Sequence, residues 1–171
     1  MNLPNMLTTA RMAMIPIYLI AQMIGSGRSA IFAAVIFLLA SCTDFLDGYL
    51  ARKNNLVTNY GKIMDPLADK LLVLTALIAL CVQNKVAIWV VIIILARELG
   101  ITSLRAVASS EGIVIAAGPW GKFKTVTQMV AIFLLILEWP FGTALIYIAV
   151  LLTIVSAVDY LVKFSRKISW Q

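Results

Sequence analysis

The sequence predicts an all-α integral membrane protein with six transmembrane helices, because it is apolar, poor in charge and divided into long apolar runs. Hydrophobic residues make up 62% of the 171 residues, whereas a soluble domain typically has about 45–50%. Charged residues make up 13%, against a usual share of about 25%. So little polar surface cannot cover a water-soluble globule. A large soluble domain is therefore excluded, and the two cysteines are too few for a disulfide scaffold.

Six apolar runs are each longer than the strand of a membrane barrel, and turn residues separate them, so each is predicted to form a helix. They span residues 12–24, 29–51, 61–82, 87–109, 125–137 and 142–164. We interpret residues 1–171 as one membrane domain that begins with a short interfacial segment at about residues 2–10. In an alternative interpretation, Arg11, the first apolar run and the small residues 25–27 form a cleavable signal peptide.

The basic residues lie mainly on one side of this arrangement. Ten of the fourteen lie at the two termini and in the loops on the same side, and two lie on the opposite side. Because cytoplasmic loops carry an excess of lysine and arginine, both termini are predicted to be cytoplasmic. The net charge of +6 then indicates a basic cytoplasmic face and not nucleic-acid binding. The absence of histidine excludes chemistry that relies on imidazole as base, nucleophile or metal ligand.

Four aspartates occupy the predicted cytoplasmic ends of the second and third helices: Asp44, Asp47, Asp65 and Asp69. A carboxylate in an apolar membrane helix costs about 2.5–3.5 kcal/mol on insertion scales, so a functional role is the default interpretation. Residues three or four positions apart share one helix face. The spacing therefore places Asp44 and Asp47 on one side of the second helix, and Asp65 and Asp69 on one side of the third. Because a short loop joins these two antiparallel helices, we expect the four carboxylates to lie close together. Pro66 follows Asp65 directly, and we expect a helix that already runs from about Thr58.

Four facing carboxylates repel one another unless cations lie between them. Oxygen ligands without histidine or thiolate favour magnesium, calcium or manganese, and two such ions about 3.5–4 Å apart can clamp a phosphoester for in-line displacement. Arg52 offers a planar fork to phosphate oxygens, and Gly48, Ala51 and Gly61 leave room on the same helix faces. In the alternative interpretation, Arg52, Lys62 and Lys70 merely neutralise the aspartates.

This stretch resembles the signature of the CDP-alcohol phosphotransferase family. It reads Asp44-x-x-Asp47-Gly48-x-x-Ala51-Arg52, then eight residues, then Gly61-x-x-x-Asp65-x-x-x-Asp69, and all eight fixed positions match. The resemblance implies the family's fold, with six transmembrane helices in a bacterial inner membrane, an active site facing the cytoplasm and usually a homodimer. It also implies two divalent cations, Mg²⁺ or Mn²⁺.

The resemblance also implies a role for each matching residue. Asp44, Asp47 and Asp65 would hold the first cation, and Asp44, Asp65 and Asp69 the second. Asp69 would also be the general base. The residues expected to contact CDP-diacylglycerol are Asn5, Thr8, Gly48, Ala51, Arg52, Thr58 and Gly61.

Three less specific features resemble the family members that use glycerol 3-phosphate as acceptor. These features are Pro4-Asn5-x-x-Thr8-x-x-Arg11, Ala96-Arg97-Glu98 and Gly121-Lys122-x-Lys124-Thr125. The basic side chains among them could hold the acceptor's phosphate, and we name Arg97, Arg105, Lys122 and Lys124 as candidates. The loop cations could instead only follow the cytoplasmic charge bias, and Arg97 could only be neutralised by Glu98. Asp159 and Lys163, four residues apart, are expected to form an ion pair within a helix.

The resemblance therefore implies transfer of a phosphatidyl group from CDP-diacylglycerol to sn-glycerol 3-phosphate, with release of CMP. A sister activity would use another acceptor, such as inositol phosphate, serine or phosphatidylglycerol. A different class of protein, an ion-coupled transporter, would place its carboxylates near the bilayer midplane and show an inverted repeat. The aspartates cluster at one end and no repeat is visible, so the sequence favours the transferase. A purely structural subunit would leave four aspartates unexplained.

Overall fold

The computed structural model describes residues 3–25, 27–53, 59–113 and 118–168, with the side chains of 3–5, 44–53, 59–63 and 167–168 left out. The described residues form six α-helices and no strand. The helices are α1 (Leu3–Ile24), α2 (Gly27–Lys53), α3 (Asn59–Val82), α4 (Ile88–Ser110), α5 (Pro119–Ile136) and α6 (Phe141–Ile168).

Each predicted apolar run lies almost wholly within one helix, so the prediction of an all-α chain is confirmed. Residues 3–10, which include most of the predicted interfacial segment, are helical and continue without a break into the first apolar run. Their position at a membrane interface stays a prediction. Helix α3 begins at Asn59 and runs through Pro66, which confirms a helix already formed before the proline. Thr58 lies outside the described residues.

Residues with left-handed backbone follow three of the helices. Gly25 at the end of α1 has φ +66°, and Asn84 and Glu138 have φ of 59° and 57° in the turns after α3 and α5. Glycine adopts left-handed backbone without steric cost, and asparagine adopts it more readily than most residues do. A residue in this conformation ends a helix. Helix α5 begins with Gly118 as its N-cap and a proline in its first turn, where the missing N–H of proline is not needed.

Contacts between helices identify which ends lie together. At one end, the start of α1 meets the start of α3, and the middle of α4 meets the start of α5. We call this the aspartate end, because Asp65 and Asp69 lie in the half of α3 that begins there. At the opposite end, Gln22 donates to Gln83 at 3.0 Å and Lys85 pairs with Glu138 at 2.9 Å.

The interior of the bundle combines a few large side chains with many small ones. Tyr18 and Phe37 are buried with their ring centroids 6.0 Å apart. Fully buried alanines such as Ala33, Ala76 and Ala149 lie where helices approach one another, as is usual for helices that pack within lipid. All six helices also carry exposed large apolar side chains. This apolar exterior fits a lipid environment.

Two stretches of the described residues are both long and apolar enough to cross a membrane by themselves, Met6–Ile24 and Phe141–Arg166. A shorter apolar helix stretch covers Gly27–Thr43. Association with a membrane is therefore indicated, while six complete spans and the orientation of the termini stay predictions.

Replacing Gly142 by alanine is expected to destabilise the hairpin of α5 and α6. A Cβ at this position would lie 2.9 Å from the backbone nitrogen of Leu135 and 3.2 Å from the carbonyl carbon of Leu134. Because backbone cannot move aside as a flexible side chain can, we expect a loss of about 1–3 kcal/mol, measured as a lower midpoint of thermal unfolding in detergent.

Gly100→Ala is the matched control. A Cβ there meets nothing within 4 Å, and alanine gains about 0.8–1.0 kcal/mol over glycine in a helix interior. The expectation for Gly142 is contradicted if both variants unfold at or above the temperature of the unmodified protein.

Candidate active site

Asp65 and Asp69 form the part of the predicted carboxylate cluster that the structure describes on α3. They are four residues apart within α3, so both lie on one face, one turn from each other. Both side chains are half-buried. The ammonium of Lys70 donates to the carbonyl oxygen of Pro66 at 3.4 Å. One face of α3 thus presents two carboxylates while an adjacent cation is directed back to its own helix.

Helix α1 contributes a hydroxyl to this face. Thr8 Oγ1 donates to Asp65 Oδ1 at 2.5 Å, and the Thr8 side chain is fully buried. Arg11, one turn further along α1, is fully buried as well. The segment that the sequence assigns to CDP binding therefore contacts a predicted metal ligand directly.

The remaining members of the cluster lie on the last turns of α2. Asp44, Asp47, Gly48, Ala51 and Arg52 belong to this helix by backbone, but their side chains lie outside the described residues. The side chain of Asn5 and the contacts of Gly61 also lie outside the described residues. Among the residues with described side chains, no group of three potential metal ligands is assembled. The four-carboxylate site thus stays a prediction.

A cavity of about 150 Å³ opens between α3, α4 and α5 beside Asp69. Most of its wall is apolar, from residues such as Leu74 and Ile94. Its polar lining consists of Asp69, Lys70, Glu98, Lys124, Thr125 and Gln128. The predicted general base and a predicted phosphate-binding lysine thus face the same small space.

An ionic cluster borders this cavity and joins three helices. Arg97 Nη1 on α4 and Lys124 Nζ on α5 both donate to Glu98 Oε1, with the Arg97 contact at 3.1 Å. Arg97 Nη2 also donates to Ser156 Oγ on α6 at 3.1 Å. The Lys124 side chain is only 3% exposed, so its charge depends on Glu98 for compensation. The cluster contains two cations and one carboxylate, so its net charge is positive. A positive net charge favours the binding of an anionic ligand.

The two other candidates for the acceptor phosphate are placed differently. The guanidinium of Arg105 lies over the ring of Tyr160, 5.8 Å from its centroid. Lys122 is exposed on the first turns of α5. The structure therefore brings Arg97 and Lys124 together, while no contact joins Arg105 or Lys122 to them in the described part of the chain. The predicted ion pair between Asp159 and Lys163 is confirmed at 2.7 Å.

Sequence reasoning assigned no role to Gln128 and named Glu98 only as a neighbour of Arg97. Gln128 follows Lys124 by one helical turn and is 2% exposed. A polar residue on the same face as a buried lysine, in an otherwise apolar helix, is a signal that could have identified it.

An apolar helical bundle that gathers carboxylates and cations at one end has the chemistry to bind phosphate esters beside a membrane. Comparison with known proteins agrees with this class. The chain belongs to the CDP-alcohol phosphatidyltransferase family, whose model matches residues 1–155.

Curated relatives match most of the chain. The CDP-diacylglycerol–glycerol-3-phosphate 3-phosphatidyltransferase of Bacillus subtilis (strain 168) is 42% identical, over 95% of this chain and 94% of the relative. The probable phosphatidylglycerophosphate synthase of Mycobacterium tuberculosis (strain ATCC 25618 / H37Rv) is 40% identical, over 98% of this chain and 83% of the relative. A phosphatidyltransferase of Rickettsia bellii (strain RML369-C), named as in Bacillus, is 39% identical over 93% of each chain.

Proposed function

We propose that this chain transfers the phosphatidyl group of CDP-diacylglycerol to sn-glycerol 3-phosphate, giving phosphatidylglycerophosphate and CMP in glycerophospholipid synthesis. The names of the curated relatives support both substrates. The structural observation that carries the proposal is the position of Asp69. It holds the last place of the family signature and lines a cavity shared with Lys124, a buried cation that pairs with Glu98.

The proposal extends to the setting of the enzyme. All six helices would span a bacterial inner membrane, with both termini and the aspartate end facing the cytoplasm and with two copies forming a homodimer. The distribution of basic residues supports this orientation. The exposed apolar side chains on all six helices support the spans.

Two divalent cations, magnesium or manganese, are the proposed cofactors. The donor set fits them, because Asp65 and Asp69 present oxygen ligands one turn apart on α3 and the sequence has no histidine to compete. Asp44, Asp47, Asp65 and Asp69 would hold the pair. When bound, such cations polarise the phosphorus–oxygen bonds of a diphosphate and neutralise charge on the leaving group.

The residues of the chain then supply the remaining steps. Asp69 removes the proton of an acceptor hydroxyl, and that oxygen forms a bond to the lipid-side phosphorus of CDP-diacylglycerol. The bond from this phosphorus to the bridging oxygen breaks, and CMP leaves with the electron pair beside Arg52. Lys124 and Arg97 hold the acceptor's phosphate, and both are preorganised by Glu98.

Incorporation of radiolabelled glycerol 3-phosphate into lipid tests the proposal. Purified protein with CDP-diacylglycerol is expected to produce labelled lipid and equimolar CMP. A chelator should stop the reaction, and excess magnesium or manganese should restore it. Label from inositol phosphate or serine in place of glycerol 3-phosphate would assign the chain to a sister activity. Absence of labelled lipid with every acceptor would overturn the proposal.

Replacing Thr8 by valine is expected to weaken cation binding at Asp65. The variant removes the donor to Asp65 Oδ1, and loss of a group that orients a metal ligand typically costs about 10–100-fold in affinity or activity. The manganese concentration at half-maximal binding, followed by electron paramagnetic resonance, should rise by about tenfold.

Thr8→Ser keeps the hydroxyl and should bind manganese as the unmodified protein does. Thr102→Val is the matched control, because the Thr102 hydroxyl donates only to the carbonyl of Glu98 in its own helix. Equal manganese binding by the Thr8→Val and Thr102→Val variants would contradict a positioning role for Thr8.

A further inference from the structure

Gln128 is a buried carboxamide whose hydrogen-bonding capacity nothing in the described part of the chain uses. Its side chain is 2% exposed, and its Oε1 has no hydrogen-bond partner there. It lines the cavity between α3, α4 and α5. Gln22, a glutamine of the same exposure at the opposite end of the bundle, also has an Oε1 without a partner there, but its Nε2 donates to Gln83 at 3.0 Å.

An amide left without partners in an apolar interior loses free energy relative to one in water. Leucine or methionine at this position would avoid that cost. Because buried polar groups are nearly always satisfied, the carboxamide of Gln128 indicates a polar ligand in the cavity. The other polar residues of the cavity limit what that ligand is, because Lys124, one turn earlier on α5, and Asp69 on α3 line the same space.

The proposed acceptor carries three polar groups, and the cavity has a counterpart for each. Lys124 suits the phosphate, and Asp69 suits the primary hydroxyl that attacks phosphorus. The secondary hydroxyl is left over. Glu98 is poorly available to it through Oε1, because Lys124 and Arg97 already donate to that atom. Gln128 lines the same cavity, and its Oε1 has no hydrogen-bond partner among the described residues.

We propose that Gln128 determines acceptor specificity by hydrogen-bonding the secondary hydroxyl of a phosphorylated vicinal diol. This inference rests on the proposed function and adds to it the means by which the acceptor is recognised. A site that hydrogen-bonds a substrate hydroxyl rejects the analogue that lacks it, because the buried partner is then left unpaired.

The test compares sn-glycerol 3-phosphate with 3-hydroxypropyl phosphate, which lacks only the secondary hydroxyl. With saturating CDP-diacylglycerol, the unmodified enzyme is expected to favour glycerol 3-phosphate by about 10–100-fold in kcat/KM. In the Gln128→Leu variant the ratio should fall towards one, because the variant uses glycerol 3-phosphate poorly and the analogue as before. The KM for CDP-diacylglycerol should not change.

Gln22→Leu is the matched control, since it makes the same substitution at a glutamine of the same burial far from the aspartate end. It should leave the acceptor ratio intact even where it lowers thermal stability. If Gln128→Leu does not fold, Gln128→Met takes its place.

Three results would overturn the inference while leaving the proposed function in place. The unmodified enzyme could use both acceptors equally well, the Gln128 variants could keep the original ratio, or they could alter only the KM for CDP-diacylglycerol. The last result would make the cavity an acyl-chain site. If the proposed function itself is wrong, the unmodified enzyme will form no product from glycerol 3-phosphate.

Discussion

The Asp69→Asn variant is expected to lose phosphatidyl transfer by at least about 10³-fold, since a positioned general base alone contributes about 10²–10⁴-fold. Asparagine has nearly the same size and shape as aspartate but cannot take a proton from the acceptor hydroxyl. It is also a poorer ligand for a hard cation than a carboxylate is. Because Asp69 lines the cavity beside Lys124, the loss should appear in kcat, with acceptor binding largely kept. The measurement is the initial rate of CMP release at saturating substrates.

Binding of CDP-diacylglycerol separates a chemical role of Asp69 from a folding defect. Much of it should persist in Asp69→Asn, because Thr8, Asp65 and the end of α2 lie outside the change. Glu138→Gln makes the same substitution type at an exposed carboxylate that pairs with Lys85 at the opposite end of the bundle. It should keep full activity. Residual turnover in Asp69→Asn within about tenfold of the unmodified rate would exclude Asp69 as the general base.

The helices could be predicted from the sequence because their signals are local. Each apolar run exceeds the length of a strand, and turn residues such as Gly25 and Asn84 stand where left-handed backbone reverses the chain. The spacing of Asp65 and Asp69 fixes their common face whatever surrounds them. The start of α1 could not be delimited this way, since its polar residues differ from the apolar run that continues the same helix.

Contacts between distant residues could not be predicted in the same way. Thr8 and Asp65 are 57 residues apart, and Glu98 and Lys124 are 26 apart. Hydrophobic periodicity identifies a buried face but does not say which helix covers it. The sequence therefore indicated that Lys124 is a cation near the membrane surface, whereas its burial against Glu98 appears only once α4 and α5 are packed. The role of Gln128 is hidden for the same reason.

The Glu98→Gln variant is expected to cause the largest loss of stability among single changes at the aspartate end. Glu98 Oε1 accepts from both Arg97 and Lys124, and its removal leaves two neighbouring cations without their carboxylate. Breaking a buried ion pair by removing one partner typically costs about 3–5 kcal/mol. The Lys124 side chain is 3% exposed and Glu98 23%, so solvent screens the cluster only in part. A clear fall in the midpoint of thermal unfolding in detergent should result.

The double variant Glu98→Gln/Lys124→Met decides whether charge is the cause. Removing the uncompensated ammonium should recover part of the lost stability, because one cation then remains and Arg97 keeps its contact with Ser156. Asp159→Asn provides the comparison at a partly exposed pair four residues apart, where the cost should stay at about 0.3–0.5 kcal/mol, the usual value for helix surface pairs. A double variant less stable than Glu98→Gln would show that packing of the long side chains, and not charge compensation, holds α4 against α5.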